Sequence, residues 1–324
     1  MLLSVRDLAA SFFLDEGVLK AVDGVSFEVD EGETVALVGE SGCGKTIVAL
    51  ALLNLVPVPG RVVRGAVLFD GVDLLRLDAE PLRRARGSGI GLVFQEPGAA
   101  LNPVYTVGSQ IAEVVMLHRG LTRHAAEGEA VRLLGEMGIP EPERRARAYP
   151  HELSGGMRQR ATIAIAISAR PKLLIADEPT TALDVTIQAE ILDLLKRVQE
   201  LHRMALLLIT HDIGVVEALA RRVMVMYTGK LVEVAPATAL FRDPQHPYTR
   251  GLLGSALRLG AGRGAPLRGI PGTVPDLLAL PAGCTFHPRC PLADTGCTRA
   301  FPPLEPLPGG RQCACYKVHD VAVG

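Results

Sequence analysis

The stretch GESGCGKT occupies residues 39–46, between the apolar residues 34–38 and the apolar residues 47–53. Three glycines followed by a lysine and a threonine are more than a tight turn needs. Gly39, Gly44, Lys45 and Thr46 complete the pattern G-x-x-x-x-G-K-T, in which backbone N–H groups and a helix N-terminus bind phosphate. The pattern predicts a nucleotide-phosphate site between a strand and a helix. We call residues 39–46 the phosphate loop.

The side chains at the end of the phosphate loop suit a nucleotide carrying Mg²⁺. The ammonium group of Lys45 is placed to lie between the β- and γ-phosphates, and the hydroxyl of Thr46 to bind Mg²⁺. Cys43 is expected to fill a slot for a small side chain rather than to act as a redox switch. The expected cofactors are ATP and Mg²⁺, and the nucleotide-binding residues are Gly39, Glu40, Ser41, Gly42, Cys43, Gly44, Lys45 and Thr46.

Two further polar groups follow apolar strands. Residues 173–176 predict a buried strand that ends in Asp177 and Glu178, and residues 205–209 predict a second strand that is followed by His211. Asp177 can reach the Mg²⁺ shell, while Glu178 can polarise a water for attack on the γ-phosphate. His211 is a candidate sensor of the γ-phosphate. Alone, each group has an ordinary structural interpretation, as an acidic turn or a structural histidine.

A second phosphate-type helix start occurs at residues 153–160, which read LSGGMRQR. Ser154 is a good N-cap, and Gly155 and Gly156 expose the first N–H groups of the helix that follows. A nucleotide bound by the phosphate loop of the same chain does not need this second anion-binding helix N-terminus. A second copy of such a protein would supply a use for it, with each subunit presenting its Ser-Gly-Gly helix end to the nucleotide of the other.

Composition and periodicity limit the fold and the partners. The 324 residues are 48% hydrophobic with a net charge of −1, which argues against nucleic acid as a partner. Apolar strands alternate with amphipathic helices, as at residues 187–201, which predicts an α/β fold with a parallel sheet. Residues 99–169 have mostly helical periodicity and predict a helical insert. No apolar run approaches the roughly 20 residues of a membrane span, and the first residues do not resemble a signal peptide, so a cytosolic chain is expected.

Taken together, these motifs resemble the nucleotide-binding subunit of an ABC transporter, in the expected order and over nearly the whole chain. The resemblance implies a P-loop ATPase fold with a helical subdomain and makes the phosphate loop Walker A. It assigns Gln95 to the Q-loop that touches Mg²⁺ and the membrane partner, and Asp177 and Glu178 to Walker B and the catalytic base. Residues 153–157 become the signature motif and residues 182–184 the D-loop. It makes His211 the switch histidine and Phe12, rather than Phe13, the aromatic residue that stacks on adenine.

The end of the chain resembles the C-terminal region of oligopeptide/dipeptide (peptide/nickel) importer ATPases. The resemblance is carried by residues 243–253, 270–275 and 283–291, although the stretch His-Pro-Tyr-Thr at 246–249 by itself predicts only a turn before a short helix. We expect a nucleotide-binding domain at 1–255, with a helical subdomain at about 97–165. A linker that is Gly- and Pro-rich between 260 and 275 and a cysteine-bearing extension then occupy 256–324. The resemblance implies import of peptides or small solutes such as nickel, powered at the cytoplasmic face of the membrane. The implied partners are a second, related ATPase, two permease subunits and an extracytoplasmic binding protein.

Five of the six cysteines lie in that extension: Cys284, Cys290, Cys297, Cys313 and Cys315. Their spacing misses the two to four residues that separate paired ligands in zinc sites, and loop-borne thiolates with longer gaps suit an iron–sulfur cluster better. The extension also resembles the region that binds a [4Fe–4S] cluster in some peptide-importer ATPases. That resemblance favours Cys284, Cys290, Cys297 and Cys315 as ligands, with Cys313 as the substitute. Free thiols or a zinc site are the alternatives.

Of three rival functions, two are ATPases that share these phosphate motifs, and the third belongs to a different class. A chromosome-maintenance or DNA-repair ATPase would carry a long coiled coil, and no sustained heptads occur between residues 46 and 154. A translation-associated ABC protein would normally carry two cassettes in one chain. A nucleic-acid-binding zinc ribbon in the extension is opposed by the near-zero charge and by the absence of Cys-x-x-Cys pairs.

Overall fold

The computed structural model describes residues 1–95, 97–181, 183–256 and 269–318 of the chain. Within these ranges the strands are β1 (Leu3–Leu14), β2 (Gly17–Val29), β3 (Thr34–Val38), β4 (Gly60–Phe69), β5 (Val72–Asp73), β6 (Ile90–Val93), β7 (Leu173–Asp177), β8 (Ala205–Thr210), β9 (Arg222–Tyr227), β10 (Lys230–Pro236), β11 (Glu305–Leu307) and β12 (Arg311–Cys313). None of the helices in these ranges is both long and apolar enough to cross a membrane.

The helices of the same ranges are α1 (Lys45–Leu52), α2 (Ala79–Arg84), α3 (Pro97–Ala100), α4 (Val107–Arg119), α5 (Arg123–Glu136), α6 (Pro142–Ala146), α7 (Gly155–Ser168), α8 (Val185–His202), α9 (Ile213–Leu219), α10 (Ala237–Arg242) and α11 (Pro247–Ala256). Short 3₁₀ turns occur at Leu74–Arg76, Pro150–Glu152 and His287–Arg289. The helix predicted at 187–201 is therefore present, with two extra residues at its N-terminus and one at its C-terminus.

The chain divides into two compact units. The first unit comprises residues 1–29, 34–75 and 209–324, and the second comprises residues 30–33 and 76–208. Residues 257–268, which include most of the predicted linker at 260–275, lie outside the described residues.

The first unit contains an antiparallel sheet in the order β2–β1–β4–β5. It also contains a run of strands in the order β11–β12–β10–β9–β3, in which β3 and β9 are parallel and the other neighbours are antiparallel. Asp70 and Gly71, both with positive φ, form the turn that joins β4 to β5 as a hairpin. The two strands at the outer edge of this run, β11 and β12, thus come from the C-terminal extension.

The core of the first unit contains an aromatic group in addition to its aliphatic residues. The rings of Tyr227 and Tyr248 have centroids 4.6 Å apart, and the ring of Phe286 lies 5.3 Å from Tyr227 and 5.4 Å from Tyr248. All three residues are buried. Since Phe286 belongs to the C-terminal extension, the extension contributes directly to this core.

The second unit combines strands in the order β8–β7–β6, with β8 counted to Leu208, and the helices α2 to α8. Strands β6 and β7 are parallel, and every residue of β7 is buried, as expected for an inner strand. The side chains of Thr106 and Thr122 cap α4 and α5 by accepting N–H groups from their first turns. The α/β fold class and the helical insert that the sequence predicts are confirmed.

We predict that Glu129 on α5 stabilises the folded state in a pH-dependent way. Its half-buried carboxylate accepts hydrogen bonds from Arg132, 2.8 Å away, and from Arg119, 2.6 Å away. These cations, Arg132 first, lower the pKa of Glu129 from 4.5 to about 2. Because the folded pKa lies below the unfolded one, the stabilisation is present above pH 4.5 and is lost as the pH falls toward 2. Glu129→Gln should lower the free energy of unfolding by about 1–2 kcal/mol at pH 7.

Urea unfolding of both proteins between pH 7 and pH 3 measures this difference. The exposed pair Glu127 and Arg123 on the same helix provides the control, since Glu127→Gln should change stability by no more than about 0.5 kcal/mol. A Glu129→Gln effect that does not shrink on acidification would contradict the prediction.

Candidate functional site

The phosphate loop joins β3 to α1 in the first unit, as the sequence predicts. Gly39 has no room for a side chain, because a Cβ atom there would lie 2.3 Å from the carbonyl oxygen of Met226 on β9. At Gly44, where φ is +104°, a Cβ atom would lie 2.1 Å from the carbonyl oxygen of Ala21. Packing against neighbouring backbone thus requires glycine at both positions. Gly44 has a left-handed conformation and is the N-cap of α1, which begins at Lys45.

The ammonium group of Lys45 lies inside the phosphate loop. It donates hydrogen bonds to the carbonyl oxygens of Gly39, at 2.8 Å, and Glu40, at 3.1 Å. Cys43 is fully buried, and burial raises the pKa of its thiol. A buried thiol of raised pKa is a poor redox group, which agrees with the interpretation of Cys43 as a small side chain that fills space.

Phe12 and Phe13 lie next to each other on β1 and differ in their surroundings. The ring of Phe12 is half-buried against the backbone of Gly60, whereas Phe13 is exposed and has the guanidinium of Arg61 4.5 Å from its ring centroid. His211, at the end of β8, is exposed and also belongs to the first unit. The stacking role of Phe12 and the sensor role of His211 stay predictions.

Gln95, Asp177 and Glu178 belong to the second unit, and two of them are in direct contact. The side-chain amide of Gln95 donates to a carboxylate oxygen of Glu178 at 3.0 Å, and the hydroxyl of Thr181 donates to the same oxygen at 2.9 Å. Glu178 has a φ of +46°, a left-handed conformation that a non-glycine residue adopts only at a cost. Asp177, the last residue of β7, is buried. The carboxylate of Glu178 is therefore held in one orientation by two donors.

The signature residues 153–157 start α7 as the sequence predicts. The hydroxyl of Ser154 accepts the N–H group of Met157 at 3.3 Å, which confirms the N-cap. Gly155 and Gly156 form the first turn, and a Cβ atom on Gly156 would lie 3.0 Å from the side chain of Ile187. Of the D-loop at 182–184, Ala182 lies outside the described residues.

The cysteines of the extension are free and lie near one another. Burial raises the pKa of Cys315 to about 11, and the neighbouring Cys284, Cys290 and Cys297 contribute to this shift. The sulfur of Cys315 accepts the N–H group of Lys317 at 3.3 Å. Cys313 lies in β12 opposite Glu233. Within the described ranges, no group of three or more His, Cys, Asp or Glu side chains is arranged to hold a metal ion.

Three residues that sequence reasoning missed contact the predicted site residues. Thr181 contacts Glu178, the hydroxyl of Tyr248 accepts the N–H group of Glu40 at 2.8 Å, and Arg289 forms an ion pair with Glu40. The contact of Thr181 could have been considered from the sequence, because Thr181 lies only three residues after Glu178. Tyr248 and Arg289 had no usable signal beyond their presence in the stretches that resemble peptide importers.

Comparison with known proteins gives the family. Residues 22–181 match the ABC transporter family, and residues 232–297 match the oligopeptide/dipeptide transporter C-terminal region. A dipeptide transport ATP-binding protein of Bacillus subtilis is 48% identical over 301 residues, which cover 93% of this chain and 90% of the relative. The chain belongs to the ATP-binding subunits of ABC transporters. The resemblance of the sequence to this family is confirmed, and so is its class of activity, ATP hydrolysis.

Two further comparisons extend this result. A Brucella melitensis protein named for peptide import is 49% identical over 332 residues, covering 99% of this chain and 98% of that protein. A solved dimeric ATP-binding cassette, in a post-hydrolysis state with ADP and Pi, matches with a TM-score of 0.66 and 27% identity over 73% of this chain and 99% of its own. The two sequence relatives are named for peptide import and for dipeptide transport, which argues against the DNA-repair and translation alternatives.

We predict that Gly39 and Gly42 differ sharply in their tolerance of a methyl group. A Cβ atom on Gly39 collides with the backbone of β9, whereas no atom lies within 4 Å of a Cβ on Gly42 and only its φ of +80° is unfavourable. Gly42→Ala should therefore cost about 1–2 kcal/mol of stability, from the left-handed backbone alone. Gly39→Ala should cost more, because the backbone itself must shift. Urea unfolding of the two variants makes the comparison, and equal losses would contradict the packing described here.

Proposed function

We propose that this chain is the ATP-hydrolysing subunit of an ABC importer for dipeptides or oligopeptides. The observation that carries the proposal is the match of residues 232–297 to the oligopeptide/dipeptide transporter C-terminal region, in a chain that also has an intact phosphate loop. The named dipeptide and peptide import relatives, which align over nearly the whole chain, support the same solute class. Nickel and other small solutes are the alternatives that the resemblance implies, and a transport assay separates them from peptides.

The phosphate loop and Lys45 bind the β- and γ-phosphates of ATP. The ammonium of Lys45, which now contacts carbonyl oxygens of Gly39 and Glu40, supplies a positive charge where the nucleotide is most negative. The hydroxyl of Thr46 binds Mg²⁺, and Asp177 and Gln95 serve the same ion. Stacking on Phe12 holds the adenine ring.

Glu178 acts as the general base. Hydrogen bonds from Gln95 and Thr181 fix one of its carboxylate oxygens, so the carboxylate is held in a defined orientation for accepting a water proton. The left-handed backbone at Glu178 directs the carboxylate differently from that of Asp177 before it, so the two adjacent acids serve the base and the metal separately. His211 contacts the γ-phosphate.

A second ATPase completes the functional unit. The N-terminus of α7, capped by Ser154 and opened by Gly155 and Gly156, presents free N–H groups suited to the phosphates of a partner's nucleotide. The cassette solved as a dimer with ADP and Pi supports a dimeric arrangement. We assign the partner as a related but distinct ATPase, so the isolated chain should be weakly active.

Two permease subunits and an extracytoplasmic binding protein complete the importer, and the chain lies at the cytoplasmic face of the membrane. In the second unit, Phe94, Val104, Tyr105 and Tyr149 expose 45%, 70%, 58% and 40% of their surface. Exposed aromatic and aliphatic side chains in this part of the second unit suit contact with a permease subunit.

We also propose a [4Fe–4S] cluster in the extension, and this part of the proposal rests mainly on the resemblance of the sequence. Cys284, Cys290, Cys297 and Cys315 are free thiols that lie near one another, and the N–H group of Lys317 donates to the Cys315 sulfur, as is usual for cluster sulfurs. Cys313 lies in β12 and is buried near Cys284 and Cys315, so it remains the substitute ligand. The role of the cluster is structural, and zinc is the alternative metal.

Transport by a reconstituted importer tests the function. Uptake of a labelled dipeptide into vesicles should require ATP, and Glu178→Gln should bind ATP normally while slowing hydrolysis and uptake together by at least about 100-fold. A panel of dipeptides, longer peptides and Ni²⁺ identifies the solute. Near-normal hydrolysis by the Glu178→Gln complex would refute the base assignment, and ATP-dependent uptake of Ni²⁺ without any peptide uptake would refute the peptide assignment.

Chemical analysis after anaerobic purification tests the cluster. About four iron and four sulfide per chain are expected, with a brown visible spectrum. Cys315→Ser should lose the iron, while Cys313→Ser, the matched control two residues away, should retain it. Stoichiometric zinc without iron, or a colourless protein whose thiols titrate freely, would exclude the cluster.

A further inference from the structure

The guanidinium of Arg289 forms a two-point ion pair with Glu40, the second residue of the phosphate loop. Its Nη1 donates to one carboxylate oxygen of Glu40 at 2.7 Å, and its Nη2 donates to the other at 3.0 Å. This fork-to-fork geometry is the strongest form of a side-chain ion pair, and lysine cannot reproduce it. The two residues are 249 positions apart in the chain and belong to the same unit.

Two further N–H groups of Arg289 are also in use. Its Nε donates to the carbonyl oxygen of Pro271 at 2.9 Å, and its Nη1 also contacts the hydroxyl of Tyr227 at 3.3 Å. The side chain of Arg289 is only 4% exposed, against 27% for Glu40. The rings of Tyr227 and Phe286 lie 5.9 Å from the guanidinium. Arg289 is therefore buried, and contacts with Pro271 and Tyr227 fix its orientation in addition to the ion pair with Glu40.

A second contact fixes the backbone of the same loop residue. The N–H group of Glu40 donates to the hydroxyl of Tyr248 at 2.8 Å, and Tyr248 is fully buried. The position of Tyr248 is set in turn by its own N–H group, which donates to Nδ1 of His246. Burial lowers the pKa of His246 to about 3, so the ring is neutral and Nδ1 is an acceptor at physiological pH. Both the side chain and the N–H group of Glu40 are thus held from the C-terminal part of the chain.

Glu40 carries a negative charge in a loop whose task is to bind polyphosphate. An unpaired carboxylate there would repel the phosphates and would also be free to turn toward Lys45. The ion pair with Arg289 removes both problems, since it neutralises the carboxylate and holds it on the side of the core. The carbonyl oxygen of Glu40, which contacts Lys45 at 3.1 Å, is held with it.

We propose that Arg289 and Tyr248 are positioning residues for nucleotide binding: through Glu40 they fix the phosphate loop in its phosphate-binding conformation. The C-terminal region, which includes the stretches His-Pro-Tyr-Thr and His-Pro-Arg-Cys, is in this way part of the machinery that binds ATP. The inference concerns ATP alone, and it stands whether or not peptides are the solute or the cysteines bind a metal.

Nucleotide titration of the full-length chain tests the inference. With a fluorescent ATP analogue as the probe, Arg289→Met should raise the Kd about 10-fold, equivalent to about 1.4 kcal/mol. In the assembled importer the KM for ATP should rise by a similar factor, while kcat at saturating ATP stays within about 2-fold, because the catalytic base is untouched. Arg289→Lys keeps the charge but loses the two-point geometry, and its Kd should lie between those of the wild type and Arg289→Met.

Two further variants separate loop positioning from general packing. Arg299→Met removes an exposed arginine of the same extension and should leave Kd, KM and thermal stability unchanged. Tyr248→Phe removes only the oxygen that accepts the Glu40 N–H group and should raise the Kd about 3-fold. The double variant Glu40→Gln with Arg289→Met leaves no unpaired charge and should bind more tightly than Arg289→Met alone.

The outcomes are distinct. A wild-type Kd and KM in folded Arg289→Met would overturn the proposal, as would a fall in kcat and thermal stability without a change in KM, which marks a purely structural role. If Arg289→Met does not fold, Arg289→Lys and Tyr248→Phe decide the question, and wild-type ATP affinity in both would overturn it.

Discussion

The phosphate loop depends on close packing of its glycines against the backbone around it. Gly39 lies against the carbonyl of Met226 on β9, and Gly44 lies against the carbonyl of Ala21 on β2, at distances that exclude any side chain. With both ends of the loop fixed in this way, its backbone N–H groups need little reorganisation to bind phosphate. Preorganised donors of this kind bind anions more strongly than donors that must first be ordered.

Charge is distributed around the loop in a consistent way. The one positive side chain within it, Lys45, points to the loop interior, while its one negative side chain, Glu40, is neutralised by Arg289 outside. In the second unit, the negative charge of Glu178 is retained but oriented by the donors Gln95 and Thr181. The neutralised loop suits the binding of polyphosphate, and the charged carboxylate of Glu178 suits the activation of water for hydrolysis.

The sequence predicted the features that depend on local pattern. The phosphate loop, the N-cap at Ser154, the buried strand before Asp177 and the helix at 187–201 each follow from neighbouring residues, and all are present. Tyr248 and Arg289 could not be predicted, because their roles arise from contacts with Glu40 that span 208 and 249 residues. The stretch at 246–249 predicted only a turn and a helix, because nothing in the neighbouring residues indicates which group the tyrosine hydroxyl contacts. The same limit applies to the cysteines, whose spacing does not determine which of them meet.

Hydrogen exchange, followed by mass spectrometry on the full-length chain with and without ATP and Mg²⁺, tests most directly whether the C-terminal region and the phosphate loop act as one element. If the loop is held through Glu40, nucleotide should slow exchange at residues 39–46 and also at residues 245–250 and 284–290, because ordering one side of the contact stabilises the other. Protection confined to residues 39–46, with exchange in both C-terminal segments unchanged, would contradict this account.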